Sequence, residues 1–175
     1  IVNKDAVSML VSLGIIEGKP DGSYAPTENV DRAQMAKMLS VIMNKGVDNS
    51  ALYQSVNSGL VDVNTNWAKG HINYCYTTGI IAGRGNGTFD PSATVTALEA
   101  AKMLLVAVGY DPKIEGFEGA DWAINVSVRA DEQGIFEGFT KDLSAPLNRD
   151  DAALLIYNAL DVEMIQSYTT NNYPI

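Results

Sequence analysis

Apolar residues recur along this chain in short stripes at helical spacing. Ala6, Met9, Leu10 and Leu13 follow the i, i+3, i+4, i+7 pattern of one buried helix face. A second stripe, Met35, Met38, Leu39 and Ile42, returns as Ala100, Met103, Leu104 and Ala107, and again as Ala152, Leu155, Ile156 and Ala159. Polar loops bearing glycine and proline separate the stripes. The pattern predicts an all-α chain built as helix, loop, helix, three times over. One such hairpin cannot bury its apolar face alone, whereas three can close around a common axis.

The punctuation between stripes repeats as well. Gly14-Ile15-Ile16-Glu17-Gly18 comes back as Gly79-Ile80-Ile81-Ala82-Gly83 and as Gly134-Ile135-Phe136-Glu137-Gly138. From Gly14 to Leu39 and from Gly79 to Leu104 the copies align without a gap at an offset of 65, with 11 of 26 positions identical, Lys37 and Met38 among them. The third copy follows at an offset of 55, which superposes Trp67 on Trp122. Each leading glycine stands where a helix must enter the left-handed region to stop, and Ile15 is placed to fold back on Leu10.

Pro20-Asp21-Gly22-Ser23-Tyr24 and Gly85-Asn86-Gly87-Thr88-Phe89 follow as turns, each anchored by its aromatic. The third loop is three residues shorter, lacks that turn and must take another path. Asp31, Thr96 and Asn148 then read as N-caps, with Gln34, Glu99 and Asp151 three positions later as capping boxes or near variants. Residues 44–62 and 109–121 read as connectors, the first with a short helical turn near Ala51. The units are 1–46, truncated at its N-terminal side because Val2 already stands in the place of the tryptophans, then 60–109 and 118–161. An exit linker, 162–175, follows.

Composition narrows the chemistry. The chain has 175 residues, 46% apolar, enough for a real core. Its longest apolar run, Met103 to Val108, is too short to span a bilayer. The net charge of −9, with basic residues spread singly, argues against nucleic-acid binding, which needs a clustered basic face. Cys75 is alone, so no internal disulfide forms. His71 and Cys75 are four apart on a predicted helix, but no further His or Cys exists to complete a zinc site. Asp21-Gly22 and Asn86-Gly87 lack the alternating acids of a calcium loop. Asp150-Asp151 and Glu28/Asp31 could be imagined as a glycosidase pair, yet capping already explains Asp151.

Leu60-Val61-Asp62-Val63 leading to Trp67-Ala68, then Gly79-Ile80-Ile81-Ala82-Gly83, Asn86-Gly87-Thr88-Phe89-Asp90-Pro91 and a capped helix resembles the S-layer homology (SLH) repeat. Asp31-Arg32-Ala33-Gln34 resembles that family's Thr-Arg-Ala-Glu signature. The resemblance implies a pseudo-threefold helical module with grooves between copies, and no catalytic activity or obligatory cofactor. It implies non-covalent anchoring of a larger secreted protein, through its secondary cell-wall polysaccharide on peptidoglycan, to the surface, wall or S-layer of a Gram-positive bacterium. An acidic, pyruvylated sugar would be the group recognised. The cargo would lie in the same polypeptide outside this fragment, with no nucleic acid and no membrane insertion. The alternative is a protein–protein scaffold or S-layer assembly module that has lost polymer affinity.

Arginine placement suggests where a ligand would bind. Arg32 and Arg149 occupy the first turn of their helices, where a carboxylate would meet a guanidinium together with unpaired backbone N–H groups. Ala97 stands in the equivalent place of the second copy, and Arg84 is the substitute there. The candidate ligand-binding residues are Arg32, Gln34, Asp21, Tyr24, Arg84, Asn86, Trp67, Trp122, Arg149 and Asp151, with no metal ligand. Trp67 and Trp122, at matching starts of first helices, read foremost as core wedges and otherwise as stacking surfaces for sugar rings.

Overall fold

The structure, a computed structural model of residues 1–175, has six α-helices and no sheet. They are α1 (Lys4–Ser12), α2 (Arg32–Met43), α3 (Lys69–Thr77), α4 (Ala97–Val108), α5 (Trp122–Glu132) and α6 (Arg149–Ala159), with a 3-10 turn at Ser50–Tyr53 in the first connector. No helix is long and apolar enough to cross a membrane.

The helix ends follow the residues that mark them. Gly14 sits at φ 75°; its N–H reaches Val11 O at 3.1 Å, and the Ile15 N–H reaches Leu10 O at 3.0 Å. That pair of bonds is a Schellman ending, and it recurs at Gly134 and Ile135. At Gly79 the second bond is displaced by one residue, from Ile81 N–H to Cys75 O. Reciprocal capping boxes open α2 (Asp31 with Gln34) and α4 (Thr96 with Glu99), each cap contributing roughly 1 kcal/mol. The expected third box is only half made. Asn148 accepts from the Asp151 N–H, while the Asp151 carboxylate turns away to Lys141 at 2.5 Å and to the Asn3 amide at 3.3 Å. An Asp side chain is one methylene shorter than Glu, and here it has cationic company elsewhere.

Each first helix packs on the second helix of the preceding copy: α3 on α2, α5 on α4, and α1 on α6. The last of these closes the array on itself, since the Asn3 backbone N–H and side-chain amide both donate to the buried Asp150 carboxylate, at 3.2 and 3.0 Å. A ring of three backbone bonds runs just ahead of the second helices. Val30 N–H donates to Leu147 O, Leu147 N–H to Val95 O, and Val95 N–H to Val30 O, at 2.8–3.0 Å. One contiguous core draws on every copy, so no unit can bury its apolar face without its neighbours.

Two expectations are corrected. The stripe of α1 is Ala6, Val7 and Leu10, because packing against α6 rotates Met9 and Leu13 outward, each 44% exposed. The segment after α6 packs back on the module. Ile165 N–H bonds Val108 O at 2.9 Å, Tyr168 Oη accepts from the Asp111 N–H at 2.8 Å, and Tyr168 pairs with Pro174. Cys75 and His71 are both buried and hydrogen-bonded within the helical core. The thiol, pushed up to about 12 by burial, donates to Ala36 O at 3.4 Å, and His71 Nδ1 lies 2.8 Å from Ser40 Oγ. The Asp48 carboxylate faces His71 Nε2 at 3.6 Å.

Candidate functional site: two cationic grooves

The first turns of α2 and α6 do not offer free N–H groups. The Arg32 and Ala33 N–H groups donate to Ala93 O and Pro91 O at 2.9 and 3.0 Å, and Gln34 N–H is capped by Asp31. The Arg149 and Asp150 N–H groups donate to Glu28 O and Pro26 O. Each helix start is thus stitched to the loop of another copy, and the expected anion site at the helix terminus is already filled by backbone.

The two arginine side chains serve the same seam. Arg32, only 5% exposed, donates through Nε to Phe89 O at 2.8 Å and through Nη2 to Ala82 O at 2.6 Å, with its guanidinium 4.5 Å from the centre of the Phe89 ring. Arg149 repeats this on Tyr24 O at 2.8 Å, Glu17 O at 3.1 Å and the Tyr24 ring at 4.7 Å. Tyr24 returns a bond from its hydroxyl to Arg149 O at 2.9 Å, and burial pushes that hydroxyl up to about 12. Such a planar fork spans two carbonyls and one aromatic face, which a lysine cannot do. The arginines therefore clamp the neighbouring loop first and face any ligand second.

Each clamp forms the floor of a groove. Groove A has a volume of about 330 Å³ and is lined by Arg32, the 80–84 loop with Arg84, Glu99, Lys102 and Met103 of α4, and Phe117, Glu118, Gly119 and Trp122. Groove B, about 210 Å³, is lined by Arg149, Ile15 to Pro20 with Lys19, Gln34, Lys37 and Met38 of α2, and Trp67. The correspondence is position by position: Arg32 with Arg149, Arg84 with Lys19, Lys102 with Lys37, Trp122 with Trp67. Each groove takes its arginine from one copy, its loop and lysine from the next, and its tryptophan from a third helix start.

Groove A carries three cations close together. Burial, and next the neighbouring Arg84, bring the Arg32 guanidinium down to about 10. Burial also lowers the Lys102 ammonium, opposed by Glu118 and reinforced by Arg32. Lys102 lies 6.0 Å from the centre of the Trp122 ring and pairs with no carboxylate. Mutual repulsion of this kind is relieved by an anion. A flat indole beside cations also suits a sugar ring bearing an acidic group.

The sequence-derived residues divide accordingly. Arg32, Arg84 and Trp122 meet in groove A; Gln34, Trp67 and Arg149 meet in groove B. Arg84 therefore joins Arg32 and does not replace the arginine missing at Ala97, which faces another junction. Trp67 is 59% exposed and is no core wedge; Trp122 is half-buried at the groove wall. Asp21 and Asn86 hold their own turns by accepting from Ser23 and Thr88, outside both grooves. Tyr24 is the base on which Arg149 lies. Asp151 belongs to the third junction, held by Lys141. The residues missed are Lys19, Lys37 and Lys102, although the identity of Lys37 and Lys102 between copies was visible.

Comparisons with known proteins point to one family. The family profile described as S-layer homology domain matches residues 3–36 and 61–101. A "Cell surface protein" of Thermoanaerobacter kivui is 31% identical over 92% of this chain and 20% of its own length. An "S-layer protein" of Bacillus licheniformis is 33% identical over 65% of this chain and 12% of its own. An "Amylopullulanase" of Thermoanaerobacterium thermosulfurigenes is 30% identical over 90% of this chain and 9% of its own. The chain thus spans a fifth or less of each of these relatives. With the profile on segments of both turn-bearing copies and relatives similar over most of the chain, the chain belongs to the S-layer homology family.

Proposed function

We propose that grooves A and B bind acidic sugars of a secondary cell-wall polysaccharide, and so fasten the protein carrying this chain to the surface of a Gram-positive bacterium. One observation carries the reading: an arginine, two further cations and a tryptophan converge in both grooves. A carboxylate would sit between Lys102 and Arg84, or between Lys37 and Lys19, with the ring of the same residue against indole. Pyruvate held as a ketal on the sugar has the charge and compactness this space accommodates. The relatives support a transferable binding module over an enzyme. Equivalent segments occur in proteins named for the cell surface, for the S-layer and for amylopullulanase, so what they share is separable from what each does.

Sedimentation with peptidoglycan that carries its secondary polymer, and with peptidoglycan stripped of it, tests the reading. The chain is expected to follow the polymer. Lys102→Ala and Trp122→Ala in groove A combined with Lys37→Ala and Trp67→Ala in groove B should reduce binding about tenfold or more while leaving the helical signal intact. Equal sedimentation with stripped peptidoglycan would instead favour the scaffold reading, for which the third junction, lacking the arginine, lysine and tryptophan of the grooves, is the supporting feature. Arginine variants are poor probes of binding here, because removing Arg32 also removes a buried clamp.

A further inference from the structure

Grooves A and B share a plan but differ in what already occupies their lysines. In groove B the Glu17 carboxylate lies 3.1 Å from Lys37 Nζ, and Glu28 is in direct contact with Lys19 Nζ. Position 17 corresponds to Ala82 in groove A and position 28 to Ala93, so groove A has no carboxylate at either place. Groove A does contain acids, but they are engaged or set back. Glu99 Oε1 accepts from the Thr96 N–H in the capping box, and Glu118 makes no ion pair with Lys102. Arg84 shares its charge with Asp90 at 3.4 Å, beyond the groove wall.

We propose that Glu17 is an internal competitor in groove B: its carboxylate occupies the position on Lys37 that a ligand carboxylate takes in groove A on Lys102. The inference rests on the polysaccharide-binding reading and deepens it. An acidic sugar entering groove B must first displace Glu17, so the two grooves hold the same class of ligand with unequal strength, groove A ahead. Glu17 is exposed, and its backbone carbonyl, not its side chain, holds Arg149. Its carboxylate is therefore free of structural duty, and replacing it leaves the clamp untouched. Exposed ion pairs of this kind are individually weak, so the expected difference is about fivefold rather than a thousandfold.

Site-resolved NMR of the whole chain separates the grooves, with the Gly18 and Lys37 amides reporting on B and those of Gly83 and Lys102 on A. The probe is a pyruvylated N-acetylhexosamine glycoside, with the unmodified glycoside as control. In the wild type, groove A signals should saturate at about fivefold lower probe concentration than groove B signals. Glu17→Ala and the near-isosteric Glu17→Gln should each tighten groove B about fivefold and leave groove A unchanged. Ala82→Glu should weaken groove A by a similar factor. If the wild type binds the probe but both Glu17 variants leave groove B unmoved, the competitor is refuted and the polysaccharide reading stands. If neither groove responds to the pyruvylated probe beyond its unmodified control, the polysaccharide reading itself fails.

Discussion

In the third junction, four positions that define grooves A and B are all different. Where the grooves have Arg32 or Arg149, Arg84 or Lys19, Lys102 or Lys37, and a tryptophan, the third junction has Ala97, Phe139, Leu154 and Val2. Leu154 lies against Gly138, Phe139 stacks at an angle near Phe136, 6.2 Å between ring centres, and Ala97 is fully buried. The shorter loop of copy three lacks the Asp-Gly or Asn-Gly turn of the other copies and an aromatic placed as Phe89 and Tyr24 are. An arginine at 97 would have nothing to clamp, and a desolvated guanidinium without acceptors is costly. The missing arginine and the missing turn are thus one structural event. The lysine is absent as well, and the space of about 270 Å³ that remains is lined by Lys141, Asp150 and Asp151 beside Val2 and Phe139.

The largest effect is expected at Arg32. Arg32→Ala strands two carbonyls and the Phe89 face, and should cost about 3 kcal/mol. For a chain of this size that is a fall of about 6–12 °C in Tm by calorimetry. Arg32→Lys should recover little of it, and a loss below 1 kcal/mol would mean that the clamp is not structural. Ala97→Arg comes next. Forcing a long side chain into the third junction should cost about 2 kcal/mol without creating a polymer site, and tolerance with new binding would show that the junction is only a dormant groove. Trp67→Ala follows, expected within about 0.5 kcal/mol of wild type because the ring is exposed. A larger change would return it to the core. Its effect should appear in polymer sedimentation instead.

The smallest effect is a pH dependence at His71, which lies outside the grooves. Burial lowers its pKa, with Asp48 opposing and Lys37 reinforcing. A base whose folded pKa lies below its unfolded value is protonated more readily in the unfolded chain, so stability is full above about pH 6.5 and falls as pH drops toward the folded value. His71→Asn should flatten the part of the Tm profile between pH 7 and 6. An unchanged slope there would assign the acid sensitivity to carboxylates.

Much of this architecture was legible along the chain. Periodicity marked four helices and repetition of the unit implied the other two, while glycine with N-cap residues located most ends to within a residue or two, because those signals act between near neighbours. Capping at Asp31 and Thr96 needed only three residues in order. The grooves were legible in part. Arg32 and Arg149 were singled out correctly as unusual, but they were assigned to a free helix terminus because the loops that occupy it come from other copies. Trp67 read as core for a similar reason: its surroundings are assembled from distant segments. The lysines were passed over since a lone cation on a helix becomes informative only beside two others.

The sequence by itself determined the helices, their stops and the threefold repetition, since local hydrogen bonding, backbone freedom and apolar period are properties of short stretches. It also determined that the third copy differs, through its shortened loop and Ala97. Only the tertiary structure decided that the arginines are clamps, that each groove gathers its residues from separate copies, and that Glu17 rests on Lys37. Those outcomes depend on which copy packs on which, and that order is set by the closure of α1 onto α6 across nearly the whole length of the chain.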